Sequence, residues 1–285
     1  MNNGSCLCGS VTWAFTGDVE ATYHCHCKMC RKAHGAAFAT YYYVDGTHFT
    51  WTGSRETITN YSSSDSLVRT FCGSCGSVVP NTEDDGKLAF IPAGCHDQGP
   101  SPECHIFVAY KAPWLEITDD LPQHDTCPPE AGVTEVADKP LSAPTEGVVR
   151  GSCLCGTIAF EVVEPFKKIY NCHCQRCRRA RAAAFTTNGF TSDQGVRYVR
   201  GEQHLASYKV PSAKYFTQVF CDICGSGMPR IDNNRHLAVV PLGSLDDDPG
   251  QIAKDHIYTA SKAEWYSLAG AESTFDEMPE QVSSK

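Results

Sequence analysis

The string GSCLCG occurs twice in this chain of 285 residues, at 4–9 and again at 151–156. A six-residue string holding two copies of a rare amino acid seldom recurs by chance, so the pattern points to an internal duplication. The remaining cysteines agree. Cys6 and Cys8 recur as Cys153 and Cys155, and Cys25, Cys27 and Cys30 recur as Cys172, Cys174 and Cys177, all at a shift of 147. Tyr61 recurs as Tyr208 at the same shift, whereas Cys72 and Cys75 recur as Cys221 and Cys224 at a shift of 149. The slip falls where YSSSDSLVRTFC faces the longer YKVPSAKYFTQVFC, as expected of a hairpin turn that tolerates insertion. Later echoes are IPAGCHD (91–97) against VPLGSLD (240–246), His105-Ile106 against His256-Ile257, and Trp114 against Trp265. Such a chain is expected to build one unit twice.

The repeat places one unit at 1–115 and the other at 148–269. Between them, 116–147 is rich in Pro and acids, with two Lys or Arg against eight Asp or Glu over 116–150, and reads as an extended linker draped over the surface. The tail, 270–285, is expected to fray. Short runs such as VTWAF, AAFATYYYV, HFTWTG and KLAFIPA, bounded by Gly, Asn and Asp, read as strands. Only RKAHGAAF and its counterpart RRARAAAF suggest a helical turn, so each half is predicted mainly β with little helix. No apolar run reaches the roughly 18 residues of a membrane span, and neither half is basic enough to favour nucleic acid, so neither is an expected partner. The first cysteine motif begins at Cys6, which leaves no room for a secretory leader, and a cytoplasmic location is the expectation. There, clustered thiols are more often metal ligands or redox groups than disulfides, and the total of seventeen is odd.

Residues two apart on a strand point the same way, so Cys6/Cys8 and Cys153/Cys155 each offer two sulfurs in one direction. CGSCG (72–76) and CDICG (221–225) suit tight turns presenting two more, and four sulfurs close a structural zinc site. A redox CxxC is the rival reading, but it normally precedes a helix in a parallel α/β pattern that is absent here. The middle clusters, CHCKMC and CHCQRC, offer three cysteines each: Cys25, Cys27, Cys30 and Cys172, Cys174, Cys177. Three thiolates leave one place open on a divalent metal, which is the catalytic arrangement. Against this, His24, His26, His173, Cys95 or Cys104 could supply a fourth ligand, although Ser244 and Asp255 stand where the first half has Cys95 and Cys104. His26 and His173 face the other side of the strand and are expected to brace the site by hydrogen bonds. Cys127, alone in the linker, reads as an exposed thiol. The cations after each triplet, Arg31 and Lys32, then Arg178, Arg179 and Arg181, read either as solvated surface or as holders of an anionic substrate's carboxylates.

GSCLCG, CHCKMCRKAHGAAF, the Gly53 and Tyr61 segment, RTFCGSCGS and HIFVAYKAPW together resemble the glutathione-dependent formaldehyde-activating enzyme family, also named for centromere protein V, in two tandem copies. The resemblance implies two Mss4-like zinc-binding β domains. It implies a structural zinc on each CxC/CxxC quartet and a second zinc on each CxCxxC triplet, up to four per chain. It further implies carbon–sulfur lyase or synthase activity joining glutathione, a small thiol, to formaldehyde, a small electrophile, as S-(hydroxymethyl)glutathione. The second copy departs from the pattern at Ala182, where the first has Gly35, and at Gln218, where the first has Arg69. Activity is therefore expected first at Cys25, Cys27 and Cys30, with Arg31, Lys32, Arg178 and Arg179 as candidate substrate-binding residues. A non-catalytic tandem zinc module that binds a protein or a thiol is the alternative. Oligomeric state is not legible here.

Overall fold

The structure is a computed structural model that describes residues 1–65, 67–128, 145–271 and 273–279. It is mainly β, with two short helices among the described residues. In the first half an antiparallel three-stranded sheet joins Asn2–Ser5, Thr12–Phe15 and Phe49–Trp51. A five-stranded sheet runs Cys104–Ile106, Ala21–Cys25, Ala39–Asp45, Leu88–Pro92, Asn81–Glu83, and a hairpin pairs Ile58–Ser62 with Val68–Cys72. The second half repeats this plan with Val149–Ser152, Ala159–Val162 and Val196–Arg200 in its small sheet and Leu205–Lys209 with Thr217–Cys221 in its hairpin. Its larger sheet has six strands, because Ser273–Phe275 lies parallel to Asp255–Ile257. The tail thus continues as paired structure past residue 270, contrary to the expected fraying; 280–285 lie outside the described residues.

The linker does the corresponding job for the first half. His105 bridges Gln123 in parallel, and the Phe107 N–H donates to the Thr126 carbonyl at 2.8 Å. His105–Gln123 and His256–Thr274 stand at the same offset, so Cys127 occupies the place that Met278 takes in the second half. Most of the expected linker, 129–144, lies outside the described residues.

The helices follow from the triplets. Cys27 caps α1 (Lys28–His34): its Sγ accepts the Cys30 N–H at 3.3 Å, and Gly35 ends the helix at φ 57°. Cys174 caps α2 (Gln175–Arg181) in the same way, with Cys177 N–H at 3.4 Å. Spacing CxxC therefore sets one cysteine as N-cap and the other at the third helical position. Ala182 holds the left-handed conformation at φ 51° that Gly35 adopts freely, a strain of about 1–2 kcal/mol.

Expected as tandem units, the halves share one core, in which Trp13, Phe15, Tyr42 and Ile91 pack with Phe160, Leu242, Leu245 and Trp265. Two glycines mark where the backbones meet. A Cβ on Gly94 would lie 2.1 Å from Ala183 N, and one on Gly243 would lie 2.3 Å from Ala36 N. The two contacts exchange on swapping the halves, as do Phe71 and Phe220, which meet edge to face at 6.5 Å. No helix among the described residues is long and apolar enough to cross a membrane.

Candidate metal centres

All seventeen cysteines are free thiols, and fourteen of them converge on four clusters. Cys6, Cys8, Cys72 and Cys75 form one quartet and Cys153, Cys155, Cys221 and Cys224 the other, each with its sulfurs within 4.8 Å of one another. Separations of 3.4 Å (Cys6–Cys8), 3.8 Å (Cys8–Cys72), 3.3 Å (Cys153–Cys155) and 3.8 Å (Cys155–Cys221) lie close to the edge of about 3.8 Å that a tetrahedron with 2.3 Å metal–sulfur bonds requires. Backbone amides face the sulfurs: Val11 N–H donates to Cys6 Sγ at 3.4 Å and Ile158 N–H to Cys153 Sγ at 3.2 Å. Hydrogen bonding from neighbouring thiols, Cys75 foremost, lowers Cys8 to about 6. Four sulfurs so placed can hold a metal ion without backbone movement.

The triplets Cys25, Cys27, Cys30 and Cys172, Cys174, Cys177 are also gathered within 4.8 Å, and each of these groups contains the three sulfurs alone. Cys174 is held down to about 3, chiefly by Cys172 and Cys177. The histidines expected to brace the triplets by hydrogen bonds have histidines as their partners: His26 Nε2 lies 2.8 Å from His105 Nδ1, and His173 Nε2 lies 2.8 Å from His256 Nδ1. In the first half the chain continues to Asp119 at 3.0 Å. Burial pushes His256 down to about 4 and His26 and His173 well below the usual histidine range, so these rings are neutral. Cys95 is buried in the shared core and Cys104 sits beside Tyr23 on the neighbouring strand; neither joins a triplet. Cys127, expected to be exposed, is partly buried against the cluster that contains Cys25, Cys27 and Cys30.

The candidate substrate-binding cations are placed differently from expectation. Arg31, Lys32 and Arg178 are almost wholly buried, and the last two reach across to the other half. Lys32 Nζ lies 2.8 Å from Asp246 and donates to Ser152 O at 2.7 Å. Arg178 pairs with Asp97 and donates to His96 O at 3.2 Å. Lys32 and Arg178 thus spend their charges on the interface between the halves. Arg179, partly buried, lies on the same helix near Asp97. The signal for these partners was the shared aspartate ending both IPAGCHD and VPLGSLD.

Residues around the triplets differ between the halves. In the first, Arg69 Nη2 donates to Cys30 Sγ at 3.6 Å and its Nε to Ser63 Oγ at 3.1 Å. Cys25 and Cys27, then Arg69, hold Cys30 well below the usual thiol range. His34 is engaged on both ring nitrogens, by Tyr41 OH and Arg181 O, each at 2.7 Å. In the second half the counterparts are Gln218, Arg181 and Asn188, and they line a cavity of about 150 Å³ that reaches Cys172 and Cys177. Tyr170, Phe190, Phe216 and Tyr258 give it mostly apolar walls, and Met278 of the tail closes one side. Burial lowers the Arg181 guanidinium to about 10. His34 and Tyr41 were not singled out from sequence; aligning the two copies exposes them, because Arg181 and Asn188 stand opposite.

The family model for the glutathione-dependent formaldehyde-activating enzyme matches 1–110 and again 148–261. A Halomonas elongata protein, provisionally named glutathione-dependent formaldehyde-activating enzyme, is 26% identical over 135 residues, covering 44% of this chain and 83% of the relative. A crystal structure of a Rhodobacter sphaeroides protein aligns with 44% of this chain and 98% of its own at 19% identity and a TM-score of 0.27, a likeness on which nothing below rests.

Proposed function

This chain belongs to the glutathione-dependent formaldehyde-activating enzyme family, and we propose on that footing that it is a zinc-dependent carbon–sulfur lyase or synthase acting on adducts of a small thiol. Glutathione and formaldehyde, giving S-(hydroxymethyl)glutathione, are the substrates that the family description and the name of the Halomonas relative suggest. The observation that carries the reading is a pair of three-sulfur clusters whose donor set stops one short of the closed quartets beside them. The quartets would hold structural zinc, and the triplets a second zinc in each half. Zinc held by three thiolates supplies a Lewis acid and favours a bound thiol as thiolate near neutral pH.

Everything else is asked of the chain itself. The amides of Cys30 and Cys177, donating to the capping sulfurs of Cys27 and Cys174, fix each triplet's shape. The neutral His26–His105 and His173–His256 pairs anchor the strand segment between the cysteines without offering a ligand. Apolar walls over the second triplet exclude water from a reacting thiol and aldehyde. The reaction is redox neutral: a sulfur–carbon bond forms, the carbonyl π bond breaks, and the thiol proton ends on the carbonyl oxygen. In place of the expectation that activity lies first at Cys25, Cys27 and Cys30, we place turnover first at Cys172, Cys174 and Cys177, because the cavity of about 150 Å³ is lined by Cys172 and Cys177. The seventeen free thiols suit a reducing compartment, and we place the protein in the cytoplasm.

The test is zinc content and adduct formation, read above the uncatalysed rate, in the wild type, Cys25→Ser, Cys172→Ser and the double variant. Loss of about one zinc equivalent per substitution, with catalysis abolished by Cys172→Ser, is the expected result. A folded double variant that has lost its triplet metal and keeps full activity removes the triplets as the catalytic centres, whereas a zinc-loaded wild type that forms adduct no faster than the uncatalysed rate leaves the non-catalytic module.

A further inference from the structure

Two residues that line the second-half cavity each carry a buried donor with no partner among the described residues: Arg181 at Nη1 and Gln218 at Nε2. Both side chains are more than nine-tenths buried, and both line the space that reaches Cys172 and Cys177. A buried donor left unmade costs free energy, and a buried guanidinium more, so such groups mark where an acceptor belongs. In the first half the counterparts are already engaged, His34 by Tyr41 and the Arg181 carbonyl, Arg69 by Ser63 and Cys30.

The difference is built in by a second substitution. A Cβ on Gly227 would fall 1.1 Å from Arg181 Nη1, so the guanidinium occupies space that only glycine leaves free. The first half has Val78 at this position and a smaller imidazole, His34, in place of the arginine. His34 with Val78 and Arg181 with Gly227 are therefore matched pairs, and the second pair keeps a cation beside an apolar cavity that a second cation, Arg230, also lines.

We infer that the second-half cavity takes a small molecule bearing a carboxylate, its oxygens received by Arg181 and Gln218 and its apolar body lying against Tyr170 and Phe190. A carboxylate fits better than a neutral carbonyl, because the fork of a guanidinium matches two oxygens and a buried positive charge is best met by a negative one. The first half, with its donors engaged, lacks this preference. The inference deepens the reading of the second triplet as a thiol site by naming what the thiol or its adduct carries.

The zinc-loaded full chain is titrated calorimetrically with 3-mercaptopropionate, 3-mercaptopropionamide and 1-propanethiol. The acid is expected to bind about tenfold or more tighter than the amide. Arg181→Met removes that preference, Arg181→Lys keeps part of it, and Gln218→Leu reduces it. If Arg181→Met does not fold, the double variant Arg181→His/Gly227→Val, which installs the first half's pair, takes its place and is expected to bind acid and amide alike. Equal binding of acid and amide by the wild type, or a preference that survives in the Arg181 variants, overturns the inference. Formaldehyde-adduct turnover on the same samples separates the two failures. Intact turnover without acid preference removes the carboxylate site alone, whereas acid preference without turnover removes the catalytic reading alone.

Discussion

At the quartets the two halves are alike to the level of single hydrogen bonds. Ser77 Oγ accepts the Leu7 N–H at 3.0 Å and Ser226 Oγ accepts the Leu154 N–H at 2.9 Å, tying each CxC arm to its CxxC turn. At the triplets the sulfurs, their capping amides and the histidine pairs are shared, but Arg69, His34, Tyr41 and Cys127 face Gln218, Arg181, Asn188 and Met278. Each quartet ties the CxC arm to the CxxC turn of its own half, so a change there is expected to bear on the fold of the unit. The wall over a triplet bears on a ligand and drifts without harm to the fold. Duplication has thus kept what each half needs to exist and let the two pockets diverge.

The sharpest way to break this comparison is to open one quartet at a time. Cys75→Ser and Cys224→Ser should each release one metal equivalent and withdraw on the order of 10 kcal/mol of metal-linked folding free energy. Because Trp13, Tyr42, Phe160 and Trp265 share one core, either change should collapse both halves in a single calorimetric transition. Two separate melting steps, or one quartet variant far milder than the other, would show that the halves are neither equivalent nor interlocked.

A smaller effect sharpens the interface side of the comparison. Lys32 and Arg178 each cross to an aspartate of the other half, but Asp246 has a quarter of its side chain exposed and Asp97 more than half. Asp246→Asn takes the counter-charge from a buried ammonium, leaving it the neutral partners of Ser152, and should cost about 3–5 kcal/mol. Asp97→Asn leaves Arg178 its carbonyl partners at His96 and Gly94 and should cost under about 1 kcal/mol. Denaturant midpoints decide it, and equal losses would refute the burial argument.

Much of this architecture is legible before any coordinates. The repeat, the fourteen clustered cysteines and the short helix after each triplet follow from spacing, because CxC and CxxC geometry is local. For the cations at 32 and 178 the local signal leaves out their partners. Adjacency to a triplet is a local signal, whereas Lys32 meets Ser152 and Asp246 from the far half, a relation no window of sequence contains. Cys127 and the strand at Ser273–Phe275 are missed likewise, since they gain their order by lying along edge strands already formed, at His105 and His256. What could have been read, and was not, is covariation between the copies: Arg181 with Gly227 against His34 with Val78.

A second matched pair gives an effect confined to acid pH. Trp13 Nε1 donates to His96 Nε2 at 3.0 Å in the first half, where the second has Phe160 and Leu245. Burial pushes His96 from 6.5 down to about 4, so its ring is neutral in the folded chain and the unfolded chain binds the proton more readily. The corresponding stability is fully present above pH 6.5 and is lost as the pH falls towards 4, about 3 kcal/mol over the window. Trp13→Phe/His96→Leu copies the second half's pair and removes that group. It should flatten the stability profile between pH 6.5 and 4 by this amount while changing stability at pH 8 much less. An unchanged acid profile would mean that burial of a neutral His96 does not contribute to stability over this window.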